Sequence, residues 1–272
     1  MTPDPDDREL YGLLEAIHER YHYDFRGYAE ASLRRRLRAA SAHFHCDTLG
    51  QLSARVLGDA AVFGELLRYL TVQVSDLFRD PTYFRSIREK VVPILRTYPS
   101  LRIWVAGCAT GEEAYSLAIV LAEEGLLDRT LIYATDINPE SLRTAEAGVY
   151  DVERFARSSE AYLRAGGRTS LSSWYTARYS SAVLDRSLKK SILFSDHSLA
   201  TDSAFAEVEL ASCRNVLIYF DRALQDRAVG VLRDSLCRRG FLGLGQRETL
   251  RFSAHAHAFA DLVPEDRIYQ RL

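Results

Sequence analysis

Residues 103–119, IWVAGCATGEEAYSLAI, decide the fold of this chain. An apolar run from Ile103 to Ala106 stops at Gly107, and Gly111, two glutamates and an apolar pattern with helical spacing follow. A strand, a glycine turn and a helix in this order indicate an α/β sheet, whose ligands bind outside the carboxyl ends of the strands. The glycines permit a tight turn and a close approach of the backbone to a ligand, although an ordinary strand–helix connection can have the same pattern.

The charge of this turn narrows the class of ligand. Carboxylates repel phosphates, so Glu112 and Glu113 argue against a bound pyrophosphate, and the spacing is not the GxGxxG of a dinucleotide site. Asp136 ends the next strand candidate, where a carboxylate commonly accepts both ribose hydroxyls of a nucleoside. A helix N-cap is the alternative role for Asp136. Together these residues predict an adenosine cofactor whose other end carries cationic groups, such as S-adenosylmethionine.

The composition is that of a globular chain without a strong attraction to nucleic acid or membrane. The 272 residues suffice for one large domain or two modest ones, 47% of them are hydrophobic, and the formal net charge is -2. Four scattered cysteines form no CxxC pair, and two His-X-His pairs have no further ligand cluster, so no disulfide framework or metal site is predicted. We interpret the cysteines as reduced thiols of a cytoplasmic protein, and no spanning helix is expected because no run of about 18 apolar residues is present.

The texture of the sequence changes after Pro99, and we predict a boundary near residue 85, which gives two domains, 1–85 and 86–272. Apolar residues recur at helical spacing through 8–70 and predict about four amphipathic helices. Pro81 fits the first turn of a further helix over 82–97.

The second domain alternates short apolar strands with helical stretches, which indicates a mostly parallel sheet with helices on both faces. The predicted strands are 102–106, 130–134, 191–194, 207–211 and 240–244. The predicted helices are 112–124, 138–146, 221–237 and 255–260. Residues 166–190, rich in Ser, Thr and Tyr, interrupt the alternation and predict a small insertion of strands and loops.

Polar residues at two further places are candidate site residues. Arg214 and Asn215 lie inside the apolar stretch ASCRNVLIYF (211–220), where polar groups cost free energy unless they find partners. They either form a structural network or face the cofactor at the end of a strand. Arg79, in LTVQVSDLFRDPTYF (70–84), lies near the junction of the two parts, where clefts often form. A solvated surface charge is the alternative for Arg79.

Five motifs, taken in order, resemble the CheR-type chemotaxis receptor glutamate methyltransferases over about residues 8–270. The motifs are TVQVSDLFRDPTYF, IWVAGCATGEEAYSLAI, YATDINPESLRTAEAGVY, ASCRNVLIYF and GFLGLGQRE. The resemblance implies an α/β fold, a Rossmann-like S-adenosylmethionine methyltransferase domain with a helical N-terminal domain and a small β insertion. It also implies methyl transfer from S-adenosylmethionine to glutamate side chains of chemoreceptors, with S-adenosylhomocysteine as the product.

The resemblance assigns roles to individual residues. Arg79 and Tyr219 match the residues nearest the methyl transfer, with a buried core aromatic as the alternative for Tyr219. The cofactor-binding residues, taken from the resemblance and from the glycine turn, are Gln73, Ser75, Arg79, Gly107, Gly111, Glu113, Asp136, Ser198, Leu199, Arg214 and Asn215. The basic helix SLRRRLRAA matches the element that docks on the receptor's methylation helices. Its arginines are Arg34, Arg35, Arg36 and Arg38, for which a solvated charged face is the alternative.

Some positions depart from the family pattern and keep a second function open. The family usually has Asn where Gln73 and Ser198 stand, and a His-Ser-Glu run at 246–248. A non-catalytic signalling module of the same fold that binds S-adenosylmethionine or a nucleotide is therefore the alternative function. Nucleic-acid binding through the arginine helix is disfavoured, because the overall charge is slightly negative and no aromatic residues are interleaved there.

Overall fold

The computed structural model describes residues 5–73 and 75–272, and the chain begins with a helical bundle that has its own apolar core. Its helices are α1 (Pro5–Tyr21), α2 (Glu30–His43), α3 (Leu49–Gly58) and α4 (Ala60–Leu70). Leu33 and Leu37 lie one turn apart on α2 and are both buried. Thr48 and Asp59 cap α3 and α4 by accepting hydrogen bonds from backbone N–H groups. The predicted helical N-terminal domain is confirmed.

The helix predicted over 82–97 is not a regular α-helix throughout. It consists of α5 (Pro81–Ser86), a π-helical turn (Ile87–Val91) and α6 (Val92–Leu95). The irregularity has a local cause, since Pro93 has no N–H to donate within the helix. The N–H of Val92 bonds to the carbonyl of Ile87, which widens the turn just before the proline.

The division between the two apolar cores lies before α5. The core of the bundle ends at Leu70, whereas Leu77, Tyr83 and Phe84 are buried against the sheet. The burial pattern therefore places α5 in the second part. The division between the two cores lies before the boundary predicted near residue 85.

The main sheet is mostly parallel, as predicted. The strands of the chain are β1 (Leu101–Ala106), β2 (Thr130–Asp136), β3 (Val149–Asp151), β4 (Tyr175–Arg178), β5 (Ser181–Leu184), β6 (Ile192–Asp196), β7 (Val208–Cys213), β8 (Leu236–Leu244), β9 (Phe259–Val263) and β10 (Ile268–Arg271). Seven of them form one sheet in the order β6-β2-β1-β7-β8-β10-β9, and only β10 runs antiparallel to its neighbours. The carboxyl ends of β1, β2, β6 and β7 therefore meet at one edge, which is where the site lies.

Helices cover both faces of this sheet. The helices of this part are α7 (Glu112–Glu123), α8 (Pro139–Ala147), α9 (Val152–Arg157), α10 (Ser159–Arg164), α11 (Arg186–Lys189) and α12 (Arg222–Ser235). Along β1, Ile103 and Val105 pack into the core that contains α7. Trp104 and Ala106 point the other way, into the core that contains α12. The central strand is thus apolar on both sides, which explains its unbroken run of apolar residues.

The predicted insertion belongs to a separate small sheet. Strands β4 and β5 fall within 166–190 and form a hairpin, and β3 pairs antiparallel with β5 from earlier in the chain. The small sheet has the order β3-β5-β4 and begins at Val149. Because α9 and α10 lie between β3 and β4, the composition of 166–190 revealed only the later part of this unit.

The helix predicted over 255–260 is wrong. The chain makes a single 3-10 turn at Ala256–Ala258 and then enters β9, which pairs with β10. Residues 256–258 are too few for an amphipathic pattern to form, and strand pairing decides the conformation from Phe259 onward. None of the helices in the described ranges is long and apolar enough to cross a membrane.

Candidate active site

A cleft of about 880 Å³ opens at the carboxyl ends of β1, β2 and β7, where α2 and the end of α4 lie against the sheet. Nine of the residues predicted to take part in catalysis or cofactor binding line this cleft. They are Ser75, Arg79, Gly107, Glu113, Asp136, Leu199, Arg214, Asn215 and Tyr219.

The two glycines of the turn after β1 have different structural roles. Gly107 has a φ of 70°, and a Cβ there would lie 2.4 Å from Cγ2 of Val216, which also lines the cleft. Gly111 has a φ of 94°, and a Cβ would lie 2.8 Å from the Cβ of Ala145 on α8. Gly107 thus shapes the cleft, whereas Gly111 lets α7 pack closely on α8 outside the lining.

Glu113 and Arg214 belong to a buried charged cluster. Arg214 is 1% exposed; its Nη1 donates to Oε2 of Glu113 at 3.0 Å and its Nη2 to Oδ2 of Asp80 at 2.8 Å. Oε1 of Glu113 accepts a hydrogen bond from Oγ of Ser212 at 2.7 Å. The guanidinium carbon of Arg214 lies 4.1 Å from the ring centroid of Tyr83. Two carboxylates around one guanidinium leave a net negative charge, which favours a cationic ligand group.

Glu112 does not face the cleft, which corrects the expectation that both glutamates lie beside the ligand. It is 1% exposed and accepts a hydrogen bond from Oγ1 of Thr110 at 2.7 Å, while Nη2 of Arg154 lies 3.0 Å from its Oε1. Burial raises the pKa of the Glu112 carboxyl. Consecutive side chains on a helix diverge by about 100°, so only Glu113 reaches the lining.

Asp136 stands at the end of β2 with both carboxylate oxygens held by the backbone. Oδ2 accepts from the N–H of Ala109 and Oδ1 from the N–H of Asn138, both at 2.9 Å. Burial raises the pKa of Asp136, although these hydrogen bonds favour its ionised form. The N-cap of α8 is Asn138, whose Oδ1 accepts from the N–H of Glu140 at 2.9 Å. Asp136 is therefore not the helix cap, and each of its oxygens keeps a lone pair for another donor.

Two strained loop segments carry Arg79 and Asn215 to the cleft. The residues on either side of Arg79, Phe78 and Asp80, have φ values of 55° and 56°, and Asn215 itself has a φ of 60°. Such left-handed backbone persists in non-glycine residues only where the surroundings hold it. The guanidinium of Arg79 is exposed and makes no hydrogen bond or ion pair within the described ranges, so its donors are available to a ligand.

Glu248 fixes the loop after β7. It was not among the site residues predicted from the sequence. Its carboxylate accepts from the N–H groups of Asn215 at 2.9 Å, Gly245 at 2.7 Å and Ile218 at 3.3 Å. The residue is 4% exposed, and burial raises the pKa of its carboxyl. An acid just after the glycine-rich strand GFLGLG is the signal in the sequence.

Tyr219 lies on the 3-10 turn Leu217–Tyr219, and its ring packs against Arg36 of α2. The guanidinium carbon of Arg36 lies 4.6 Å from the ring centroid, a cation–π contact. Nη1 of Arg36 donates to the carbonyl of Leu70 at the end of α4. The cleft is thus closed on one side by the helical bundle.

The four arginines assigned to receptor docking are not on one surface. Arg36 lines the cleft, and Arg34 is bound to Asp7 and Glu30. Arg35 and Arg38 are exposed on α2. The resemblance assigned all four arginines to docking, because the sequence does not show which side of α2 meets the rest of the protein.

Gln73 and Ser198, two further predicted cofactor residues, do not line the cleft. The carbonyl of Gln73 accepts from Oγ1 of Thr110 at 3.2 Å, and its side-chain amide nitrogen is buried without a partner in the described ranges. Oγ of Ser198 accepts from the N–H of Ala200 at 3.3 Å within its own turn. Both residues shape loops beside the cleft.

Two family models together match almost the whole chain. The family described as CheR methyltransferase, all-alpha domain, matches residues 8–71. The family described as CheR methyltransferase, SAM binding domain, matches residues 73–263. The chain belongs to the CheR methyltransferase family. The predicted cofactor, S-adenosylmethionine (SAM), is confirmed by this second match.

Relatives from several bacteria are similar over most of this CheR family chain. A Pseudomonas putida protein named "Putative methyltransferase Cher3" is 52% identical over 265 residues, which is 97% of each chain. The chemotaxis protein methyltransferase of Listeria innocua is 29% identical over 92% of this chain and 93% of the relative. Chemotaxis protein methyltransferase 2 of Pseudomonas aeruginosa is 31% identical over 68% of this chain and 66% of the relative. The predicted class, a SAM-dependent methyltransferase of the chemotaxis type, is confirmed by these matches.

Proposed function

We propose that this protein transfers the methyl group of SAM to glutamate side chains of chemoreceptors and so forms glutamate methyl esters. The observation that carries the proposal is one cleft in which the carboxylate of Asp136 lies with Tyr219 and with the guanidinium of Arg79, which has no partner in the described ranges. Family membership and the names of the relatives support the chemotaxis setting.

The chemistry of the lining fits SAM. The carboxylate of Asp136 would accept the ribose hydroxyls, and the carboxylate of Glu113 would accept the ammonium group. The guanidinium of Arg79 would hold a carboxylate, either the cofactor's or the acceptor's. Leu199 and Ile137 offer apolar surface to the base. A phosphate group placed beside Asp136 and Glu113 would be repelled by their carboxylates.

The proposed reaction needs positioning more than proton transfer. A glutamate carboxylate has a pKa of about 4.3 in peptides and is already ionised at neutral pH, so no general base is required. The histidine of the lining, His197, bonds through Nε2 with the carbonyl of Ser203 and has no carboxylate partner within the described ranges. When bound, SAM supplies an electrophilic methyl group on a sulfonium. The side chains of the cleft exclude water and align the acceptor, since opposite charges cancel during the transfer and a poorly hydrated site favours that step.

A transfer assay with labelled SAM tests the proposal. The protein is incubated with receptor-containing membranes, and we expect base-labile label on a receptor, as a carboxyl methyl ester requires. A receptor preparation whose acceptor glutamates are replaced by glutamine should take up no label. Calorimetry with S-adenosylhomocysteine (SAH) runs in parallel. Binding of SAH without transfer to any receptor would contradict the proposal and favour the non-catalytic module.

Arg79→Ala tests the assigned role of Arg79 within this function. Its guanidinium is exposed and has no partner within the described ranges, so the fold should stay intact while transfer is lost. Thermal unfolding measures the first quantity and the labelled-cofactor assay the second. Near-normal turnover of Arg79→Ala would remove Arg79 from the reacting centre.

A further inference from the structure

Three arginines line the cleft, and carboxylates neutralise only one of them in the described part of the chain. Arg214 is paired with Glu113 and with Asp80. Arg36 and Arg79 make no ion pair there. The cleft therefore offers two uncompensated guanidinium groups beside its cofactor-side acids, and an anionic ligand group would complete it.

Arg36 is the less accessible of these two guanidinium groups. It is half-buried, and burial lowers the pKa of its guanidinium, although arginine stays protonated in proteins. The partners of Arg36 in the described ranges, the carbonyl of Leu70 and the side chain of Tyr219, are uncharged, so a ligand carboxylate would compensate the partly buried cation. Its hydrogen bond to the carbonyl of Leu70 uses the negative end of the α4 dipole, which holds the side chain in place.

The contact of Arg36 with Tyr219 fixes both side chains. The guanidinium carbon is 4.6 Å from the ring centroid, so the planar group lies over the ring face. A guanidinium has five N–H donors, and the guanidinium of Arg36 shares them with the carbonyl of Leu70 and the side chain of Tyr219. Donors at the edge of the guanidinium remain for a carboxylate, next to the ring that the resemblance places near the methyl transfer.

We propose that Arg36 binds the acceptor carboxylate and holds the ring of Tyr219, as part of the active site and not of the docking surface. This inference rests on the proposed glutamate methyl transfer. The acceptor's carboxylate is favoured over the cofactor's because Arg36 belongs to α2, whose outer side carries the exposed Arg35 and Arg38. Arg36 directly follows Arg35 on α2, with its side chain turned about 100° toward the cleft, so a substrate helix docked on those two arginines would lie beside the helix that carries Arg36.

The test compares Arg36→Ala and Arg36→Lys with the matched control Arg20→Ala. Arg20 is an exposed arginine of α1 with no hydrogen bond or ion pair in the described ranges. For each variant, kcat and KM are measured with receptor membranes, and the Kd of SAH is measured by calorimetry. A hydrogen bond to a charged group is worth roughly 1.5–3 kcal/mol. We therefore expect Arg36→Ala to lose about 10–100-fold in kcat/KM for the receptor.

Three further readouts separate acceptor binding from a structural role. The Kd of SAH should stay within about threefold of the wild-type value in Arg36→Ala, because the residue is assigned to the acceptor. Arg36→Lys should recover only part of the loss, since an ammonium keeps the charge but has no planar face for Tyr219. Arg20→Ala should match the wild type.

The outcomes that overturn the inference differ from those that overturn the function. If Arg36→Ala keeps the wild-type kcat/KM and the wild type transfers methyl groups to the receptor, the role of Arg36 is refuted and the proposed function stands. A loss of SAH affinity as large as the loss of turnover assigns Arg36 to the cofactor or to folding, and so overturns the acceptor role. If Arg36→Ala does not fold, Arg36→Gln carries the same comparison. A wild type that binds SAH but methylates no receptor overturns both proposals.

Discussion

A substitution of Asp136 tests the proposed cofactor site most directly. Asp136→Asn keeps the shape of the side chain but replaces one acceptor oxygen by an NH₂ donor. Since hydrogen bonds to charged groups contribute roughly 1.5–3 kcal/mol, we expect the affinity for SAH to fall about 10–100-fold. Calorimetric titration measures this, with the exposed Asp128 changed to Asn as the control. Unchanged affinity in Asp136→Asn would contradict the ribose assignment.

The pH dependence of SAH binding should reflect the protonation of the Asp136 carboxyl. Burial raises the pKa of Asp136, so as the pH falls it takes up a proton earlier than an ordinary aspartate, whose pKa is about 3.9. The protonated carboxyl is a poorer acceptor for the ribose hydroxyls. SAH affinity should therefore start to fall above the ordinary aspartate range in the wild type. Asp136→Asn should lack this loss, and parallel pH profiles for the two proteins would refute the assignment.

At the residue scale, the sequence was most informative where chain position alone fixes location. Asp136 is the last residue of β2, and the carboxyl ends of parallel strands meet at one edge, so its chain position alone places it in the cleft. The orientation of Glu112 and of Arg36 depends instead on which side of a helix meets its neighbour. Helical spacing gives the angle between side chains but not the direction of the partner surface.

Between elements, Arg214 is the main connection on the β7 side of the cleft. Its guanidinium joins the loop before α5, through Asp80, to the first turn of α7, through Glu113. Arg214→Ala leaves both acids without their cation, and breaking a buried pair from one side costs about 3–5 kcal/mol. We expect the lower end, about 3 kcal/mol of unfolding free energy, because Asp80 is 25% exposed and water can reach it.

Urea unfolding measures this loss, and the exposed Arg247 changed to Ala is the matched control. Arg247→Ala should unfold at nearly the wild-type midpoint, as surface substitutions usually do. A loss below about 1 kcal/mol in Arg214→Ala is the range of a surface ion pair. That result would mean that the cluster contributes charge to the cleft without holding the two elements together.

Long periodic helices and the apolar strands of the parallel part of the sheet were predictable, whereas the antiparallel strands β9 and β10 were not. The predicted helix 221–237 corresponds to α12 (Arg222–Ser235), where the apolar spacing extends over several turns. By contrast, β9 and β10 have five and four residues and are defined by pairing with each other and with β8. Local sequence carries little information on such pairing, because strand preference depends on cross-strand neighbours.

At the scale of the molecule, the cleft requires both parts of the chain. Strand β2 supplies Asp136 and helix α7 supplies Glu113, while the bundle contributes Arg36 and Tyr28 to the same lining. Tyr28 also packs on Phe220 with ring centroids 5.0 Å apart, which joins the two cores. Motif order identified each part, but the contact between the parts is a tertiary feature that no motif contains.

The proposed receptor docking depends on local surface charges and not on the overall charge of the molecule. With a formal net charge of -2, the whole chain does not attract an acidic partner, so we propose that the attraction to a receptor comes from the exposed Arg35 and Arg38 of α2. Salt screens such exposed charges over about 8 Å at physiological ionic strength. We therefore expect the wild-type KM for receptor membranes to rise with salt.

The double variant Arg35→Ala, Arg38→Ala should show a raised KM for the receptor at low salt and a weaker dependence of KM on salt. Its SAH affinity should equal that of the wild type, because neither arginine lines the cleft. Arg20→Ala removes a charge from α1 and should keep the wild-type salt dependence. An unchanged slope of KM against salt in the double variant would assign docking to another surface. Arg36, inside the cleft, should instead alter turnover at every salt concentration, which separates acceptor binding from docking on the same helix.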